Sequence, residues 1–427
     1  MNNMKDSNIN WIGLIPKHWK TSKVKYLFEI KNGATPSSNN PEYWDGDISW
    51  ITPADMEDVG GIKSGSRNIT EQGYYACGTE KLPIGSIVIS NRAPIGKINF
   101  TEQVLCTNQG CKGLVRNGNN KFYYYFLLIS VEILQALGRG TTFMELSTFD
   151  LGNLNIVLPP SEEQRLIAEF LDSEVEKIND LIRKTEKQIE LLEEYKKSLI
   201  TETVTKGLDK TIAYKDTGIG WIGEIPENWE VTKIKYISEF IGSGATPDSG
   251  NSLFYDGDYN WIQSGDLYKT NEIVDTSKKI TEMAIQSTRA LKFYESPYLV
   301  IAMYGASIGN IAISKIDSYT NQACCVIKLE NYLKLKFLFY YLYSCKDELL
   351  RLAMGGTQPN ISQEIIKSFN IIKPSYSDLE NIVEYLDFKV SQIDIIISKK
   401  ENQLNTLRDI KDSLIYEYVT GKKRVGG

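Results

Sequence analysis

The chain has 427 residues, 42% of them hydrophobic, 24% charged and 11% aromatic, which is enough apolar side chain for a substantial core in two to four domains and excludes a low-complexity disordered polymer. Its formal net charge of −6, with the acidity densest over residues 161–210 and near neutrality over 1–160, excludes a binder that holds nucleic acid through its own basic surface alone. Six cysteines without a CxxC pair and a single histidine, His18, speak against a zinc site, and a polar start with no apolar run approaching the roughly 20 residues of a spanning helix predicts a soluble, cytoplasmic protein without membrane contact.

In chain order, the first motif is Trp11-Ile-Gly-Leu-Ile-Pro-Lys-His-Trp19, followed by Lys23-Val-Lys-Tyr26 and the turn Gly33-Ala-Thr-Pro36. Short β-branched and aromatic runs over 47–52, 86–90 and 97–101, set between Gly, Pro and Asn turns, predict strands. Apolar residues at three- and four-residue steps over 122–137 predict a helix. Pro159-Pro160-Ser161-Glu-Glu-Gln164 then reads as a capping box opening a long helix, with Ser161 as its cap. Leu171, Val175, Ile178, Ile182, Ile189, Leu192 and Leu199 form a coiled-coil seam interrupted by Thr185 and Lys196.

From residue 221 the chain repeats itself. Trp221-Ile-Gly-Glu-Ile-Pro-Glu-Asn-Trp229, Lys233-Ile-Lys-Tyr236 and Gly244-Ala-Thr-Pro247 return in order, and Asp45-Gly-Asp47 with Trp50 recurs as Asp256-Gly-Asp258 with Trp261. Thr107-Asn-Gln109 recurs as Thr320-Asn-Gln322, and Gly140-Thr141 as Gly356-Thr357. Strands are predicted over 259–263, 298–303 and 310–314 and a helix over 332–352. A second seam follows at Leu386, Val390, Ile393, Ile397, Leu404, Leu407 and Leu414, interrupted by Lys400 and Lys411 at the places matching Thr185 and Lys196. The start of this helix, Pro374-Ser-Tyr-Ser377, is expected to be weaker than the first. Each long helix, at about 43 residues, would extend roughly 65 Å.

Two copies of an α+β unit are therefore expected, two similar mixed α+β globular domains joined and separated by two long helices. If a two-fold axis relates the copies, the helices run antiparallel as a coiled coil and the chain termini come together. The domain boundaries expected are 1–158 and 208–373 for the globular domains, 159–207 for the central helix and 374–427 for the C-terminal helix and tail. The recurring Trp11, Trp19, Trp50, Trp221, Trp229 and Trp261 read as core anchors. The outer positions Glu190, Glu193 and Lys197 are either solvated or contact a partner. No phosphate-binding loop, dinucleotide fingerprint, histidine triad or metal motif is present, and His18 has Asn228 at the matching place, so no catalysis is expected of this chain.

The paired Trp-Ile-Gly-x-Ile-Pro-x-x-Trp segments, the Gly-Ala-Thr-Pro turns, the Thr-Asn-Gln triplets, the Gly-Thr loops, Pro159-Pro-Ser-Glu-Glu-Gln164 and the matched Ser198-Leu-Ile200 and Ser413-Leu-Ile415 helix ends together resemble the specificity subunit of a type I restriction-modification system. The resemblance covers essentially the whole chain. It implies two target-recognition domains, each reading one half of a split, asymmetric double-stranded DNA sequence, and a helix pair that sets the gap and docks two methyltransferase subunits. Restriction-translocase subunits add to these. The chain itself would hold no cofactor, S-adenosylmethionine belonging to the methyltransferase and ATP with Mg to the restriction partner.

Base edges need amides, hydroxyls and guanidinium groups on closely approaching backbone. The DNA-contact candidates in the first domain are Lys31, Asn32, Thr35, Ser90, Asn91, Arg92, Asn108, Gln109, Arg139, Thr141 and Thr142. In the second they are Ser243, Thr246, Tyr304, Ser307, Asn321, Gln322, Thr357, Gln358 and Asn360. Residues common to both copies are expected to hold loops rather than read bases. The better readers are those that differ, Arg92 against Tyr304, Arg139 against Gly355, and Thr142-Phe143 against Gln358-Pro359. Arg92 matches a guanine edge, its ordinary alternative being a surface or phosphate contact. The competing reading is a duplicated coiled-coil scaffold that binds proteins and not DNA; it predicts loops alike in both copies, whereas these loops diverge while the seams persist.

Overall fold

Central strands made almost wholly of Ile, Val and Leu can exist only where both faces are covered, and here alternate residues face different cores. In the computed structural model, which describes residues 3–57, 59–92, 94–139, 144–268, 270–353 and 359–426, the chain divides into two units, Met1–Glu186 with Asn402–Gly427, and Lys187–Glu401. In the first, the strand Ile87–Ser90 sends Ile87 and Ile89 into a core with Phe122, Tyr123 and Phe126, and Val88 into a second core with Ile51, Met56 and Leu82. In the second, Tyr298–Ala302 does the same, Leu299 and Ile301 packing with Phe337 and Tyr341, and Val300 with Ile262 and Leu267.

The sheets have one topology in both units. Five strands of the first unit lie in the order Glu29–Asn32, Cys111–Val115, Ile87–Ser90, Ile98–Thr101, Val59–Ile62, antiparallel except for the last pair. The second unit repeats this with Phe240–Ser243, Cys324–Lys328, Tyr298–Ala302, Ile311–Ser314 and Glu272–Ile273. A three-stranded sheet accompanies each, built on Trp44–Ile51 and on Tyr255–Ile262. The shared Asp-Gly-Asp motif is a bulge in that strand: Asp45 and Asp256 have φ of 62° and 58°, and Trp44 and Ile48 both pair with Ile69. A Cβ on Gly46 would lie 2.5 Å from the Thr70 backbone, so glycine alone fits beside the bulge.

The two expected domain helices are each broken into two pieces. Lys121–Leu128 and Val131–Leu137 part at Ser130, and Tyr332–Ser344 and Lys346–Arg351 part at Cys345. Apolar spacing continues across both breaks, which is why the sequence reads them as single helices.

Two long helices, Ser161–Lys206 and Tyr376–Val419, link the units. Within the first unit the rings of Phe170 and Tyr418 meet in a tilted pair with centroids 4.5 Å apart while Glu186 pairs with Arg408 at 3.0 Å, so the helices run antiparallel. Within the second, Lys196 reaches Asp394 at 3.0 Å and Val204 shares a core with Val383, the same sense. The polar seam residues Thr185 and Lys196 are buried, as the seam requires. The helix starts differ from the sequence reading. Ser161 lies inside the first helix and does not cap it, whereas Gln164 still turns back, donating to the Pro159 carbonyl at 2.8 Å. The second helix, expected to start weakly, is capped by Ser375, whose hydroxyl accepts from the Asp378 amide at 3.2 Å and donates to its carboxylate at 2.7 Å.

The tryptophan motif now has a physical reason. Trp19 donates its indole N–H to Glu163 at 2.8 Å and Trp229 donates to Asp378 at 2.9 Å, each latching its globular domain to an acid in the first turn of a long helix. His18 Nε2 lies 2.6 Å from the same Glu163, where the second copy sets Asn228 against Asp378. A second latch is duplicated as well. Asp172 takes Lys121 at 2.6 Å and the Tyr125 hydroxyl at 2.9 Å, and Asp387 takes Lys336 at 2.8 Å and the Tyr340 hydroxyl at 2.6 Å. No described helix is long and apolar enough to cross a membrane.

Candidate nucleic-acid interface

In each unit the candidate loops assemble on one backbone frame. The Gly-Ala-Thr-Pro turn is pinned to the Thr-Asn-Gln loop: Ala34 N–H donates to the Thr107 carbonyl at 3.0 Å, and Ala245 to Thr320 at 3.0 Å. The approach is so close that a Cβ on Gly33 would fall 1.9 Å from the Asn108 carbonyl oxygen. Trp50 and Trp261 fasten the turn from beneath, donating to the carbonyls of Ala34 and Ala245 at 3.0 and 3.2 Å. The Thr35 hydroxyl donates to Gln109 Oε1, and Thr246 does the same to Gln322. Asn108 and Asn321 close their own loops, accepting from the Gly110 and Ala323 amides. These common residues hold loops, with Gln109 and Gln322 exposed at the tips.

The frame extends to the remaining candidates. Asn91 N–H donates to the Gly110 carbonyl and Leu146 N–H to the Asn91 carbonyl; in the second unit Met303 and Ile361 make the same two bonds, to Ala323 and to Met303. Single backbone bridges then join Arg92 to Glu145, Arg139 to Glu145, and Tyr304 to Asn360. Asn360 is exposed, and Ser307 is half-buried in the turn beside Tyr304. Burial, eased by a bond to Gln322, raises the Tyr304 phenol above its ordinary value.

Not every candidate presents itself to solvent. Ser90 is fully buried, its hydroxyl donating to the Pro94 carbonyl at 2.7 Å and accepting from the Lys97 amide at 2.9 Å. Asn91 is equally buried. Lys31 is held between Glu29 and Glu80, whose hydrogen bonds, Glu29 first, raise its ammonium above the usual range. Among the described candidates Arg139 has the most exposed cation, 80% of its side chain being exposed, with a 3.3 Å ion pair to Asp150. Thr141, Thr142, Thr357 and Gln358 lie outside the described residues.

Sequence reasoning missed three groups that organise the site. Lys112 is buried and donates to Asn32 Oδ1 and Thr148 Oγ1, both at 2.9 Å, and burial lowers its pKa. At the matching positions, two on paired strands and one on a helix, the second unit has Cys325, Ser243 and Gln363, the last donating to the Ser243 hydroxyl at 2.7 Å. Glu145 and Asp150 are the acids that hold Arg92 and Arg139. A lysine inside an apolar strand opposite a cysteine in the other copy was the available signal. Among the described residues no group of three or more His, Cys, Asp or Glu side chains is placed to hold a metal ion.

Comparison with known proteins agrees with this architecture. The model of the family described as type I restriction modification DNA specificity domain matches residues 16–191 and 226–406, one match for each copy. The type I restriction enzyme MjaIX specificity subunit of Methanocaldococcus jannaschii is 29% identical over 429 residues, covering 97% of this chain and 95% of that protein. The MjaVIII specificity subunit of the same organism is 24% identical, covering 96% and 94%. A solved chain from work on complex assembly and conformational transition of the type I restriction-modification system superposes with a TM-score of 0.70 at 15% identity, over 96% of this chain and 99% of that one. The chain belongs to the type I restriction-modification DNA specificity family. It is a sequence-specific DNA-recognition subunit and not itself an enzyme.

Proposed function

We propose that this subunit reads a split, asymmetric DNA target, residues 1–158 recognising one half and 208–373 the other, with the helices of 159–207 and 374–427 setting the gap between them. The carrying observation is one frame with two linings, Asn32, Lys112 and Thr148 in the first unit against Ser243, Cys325 and Gln363 in the second. An adaptor for two identical partners has no use for that divergence; a reader of two different half-sites requires it. The DNA-contacting residues proposed are the polar groups of these loops. In the first unit Asn32, Thr35, Arg92, Gln109 and Arg139 are the exposed ones, and in the second Thr246, Gln322 and Asn360, with Tyr304 half-buried beside them.

The partners proposed are two methyltransferase subunits docked along the helices, and restriction-translocase subunits beyond them. The relatives are each described as the specificity subunit of a type I restriction enzyme, which supports assembly with further subunits, and the near-neutral first domain agrees, since a reader without a basic surface draws its phosphate affinity from its complex. S-adenosylmethionine would bind the methyltransferase, and ATP with Mg the restriction subunit. The test is base-resolution mapping of methylated adenine in host DNA with the gene intact and deleted. Loss of one asymmetric split motif on deletion is the expected result; an unchanged pattern, with the methyltransferase co-purifying and active, refutes it.

A further inference from the structure

Three positions that differ between the units at this frame form one connected group. Glu145 accepts from both Nε and Nη2 of Arg92 on a single oxygen, Oε2, at 3.2 and 3.1 Å. Its other oxygen, Oε1, accepts from the Asn91 amide at 3.1 Å. Asn91 is fully buried, and its own Oδ1 has no hydrogen-bond partner among the described residues. Burying an amide and leaving one acceptor unpaired is costly, and the second unit avoids the cost by placing Met303 there. Next to Met303 the same backbone bridge carries Tyr304 and Asn360, a neutral pair. Asn91, Arg92 and Glu145 thus stand or fall together: the buried amide orients the carboxylate, and the carboxylate holds the guanidinium by its inner edge.

That grip leaves the outer fork, Nη1 and the second N–H of Nη2, without a hydrogen bond among the described residues, and the arginine side chain is 47% exposed. Two parallel donors at fixed spacing match the N7 and O6 acceptors of guanine. A phosphate is the poorer ligand, because Glu145 already neutralises the cation and would repel a second anion. Fixing the side chain beforehand also reduces the rotamer entropy lost on binding.

We infer that Arg92 reads a guanine in the half-site of the first unit through Nη1 and Nη2, with Glu145 as its positioning residue, and that the second unit, carrying Tyr304 and Asn360 at the same bridge, makes no such guanine contact. This rests on the bipartite reading above.

The experiment co-expresses the full chain with its methyltransferase subunit and maps methylated adenine on a plasmid library randomised across the target. A swap of the globular domains assigns each half-site. The wild type should require guanine at one position of the first half. Arg92→Lys, which keeps the charge and loses the fork, should reduce that preference roughly tenfold or more at that position alone. Glu145→Gln should relax the same position and no other. The triple change Asn91→Met, Arg92→Tyr and Glu145→Asn installs the set that the same frame already accommodates in the second unit as Met303, Tyr304 and Asn360, so its loss of guanine preference with the second half-site intact separates reading from folding. A split motif without guanine in the first half overturns the pair alone. A uniform loss across all sequences in Arg92→Lys, with a shallower salt dependence, makes Arg92 a phosphate contact and also overturns it. No split motif in the wild type overturns the bipartite reading and the pair with it.

Discussion

Tyr125→Phe and Tyr340→Phe each remove one oxygen and nothing else from the latch that joins a globular domain to a long helix. Tyr125 and Tyr340 are 4% and 5% exposed, so the phenyl ring keeps its packing. Burial, followed by the neighbouring carboxylate, raises both phenols far above their ordinary value, so both remain hydrogen-bond donors throughout the accessible pH range. The acceptors are charged, and such bonds contribute about 1.5–3 kcal/mol. The carboxylates Asp172 and Asp387 keep their lysines and are 36% and 37% exposed, so water replaces part of the loss. Each change should therefore cost about 1–2 kcal/mol, near the lower end of that range. For a unit of roughly 210 residues, at about 2–4 °C per kcal/mol, the midpoint falls by about 2–8 °C. Scanning calorimetry of the full chain resolves this, and the two changes combined should add, because they share no partner. A shift below about 1 °C for both would show that the hydroxyls are solvated and that the latch is held by the lysines alone.

Lys196→Met should leave stability unchanged or slightly raised in urea unfolding, because an apolar chain suits the seam and both carboxylates, Glu193 and Asp394, are 45% and 42% exposed and so already hydrated; a loss above about 2 kcal/mol would show that the ion pair outweighs its desolvation. Burial raises the thiols of Cys106, Cys111, Cys325 and Cys345 to about 11, 12, 12 and 11, and raises that of Cys324 as well, so a thiol reagent should label Cys77 alone in the folded chain. Because these acids hold their protons more tightly when folded, their contribution to stability is present below about pH 8.5 and is lost as pH rises towards their folded values, which an alkaline unfolding series would register. A circular permutant opened after Gly207, with its original ends joined, should fold, since Lys422 near one end donates to the Ile12 carbonyl at 2.9 Å near the other; an insoluble permutant would contradict this closure.

The duplication, the α+β character of each copy and the two long helices were legible in the sequence, because each rests on a local and periodic signal. Heptad spacing from Leu171 to Leu199 and turn residues between β-branched runs report the faces a chain must bury wherever it folds. The breaks at Ser130 and Cys345 and the exchange of caps between Ser161 and Ser375 were not legible, because apolar spacing passes through a break and one serine caps only if the backbone turns at it. The candidate site divided along the same line. Its loops were found from polar residues in matched turns, and Arg92 stood out by differing from Tyr304. The burial of Ser90 and Asn91, the lysine beneath Asn32 and the carboxylate of Glu145 depend on residues 36 to 80 positions apart meeting across a sheet. What the sequence alone determined was the repeat and the periodic elements that build it; which polar groups are offered to a ligand and which are used to hold their neighbours was decided only when the sheet brought distant strands together, since exposure and partnership are properties of the packed chain.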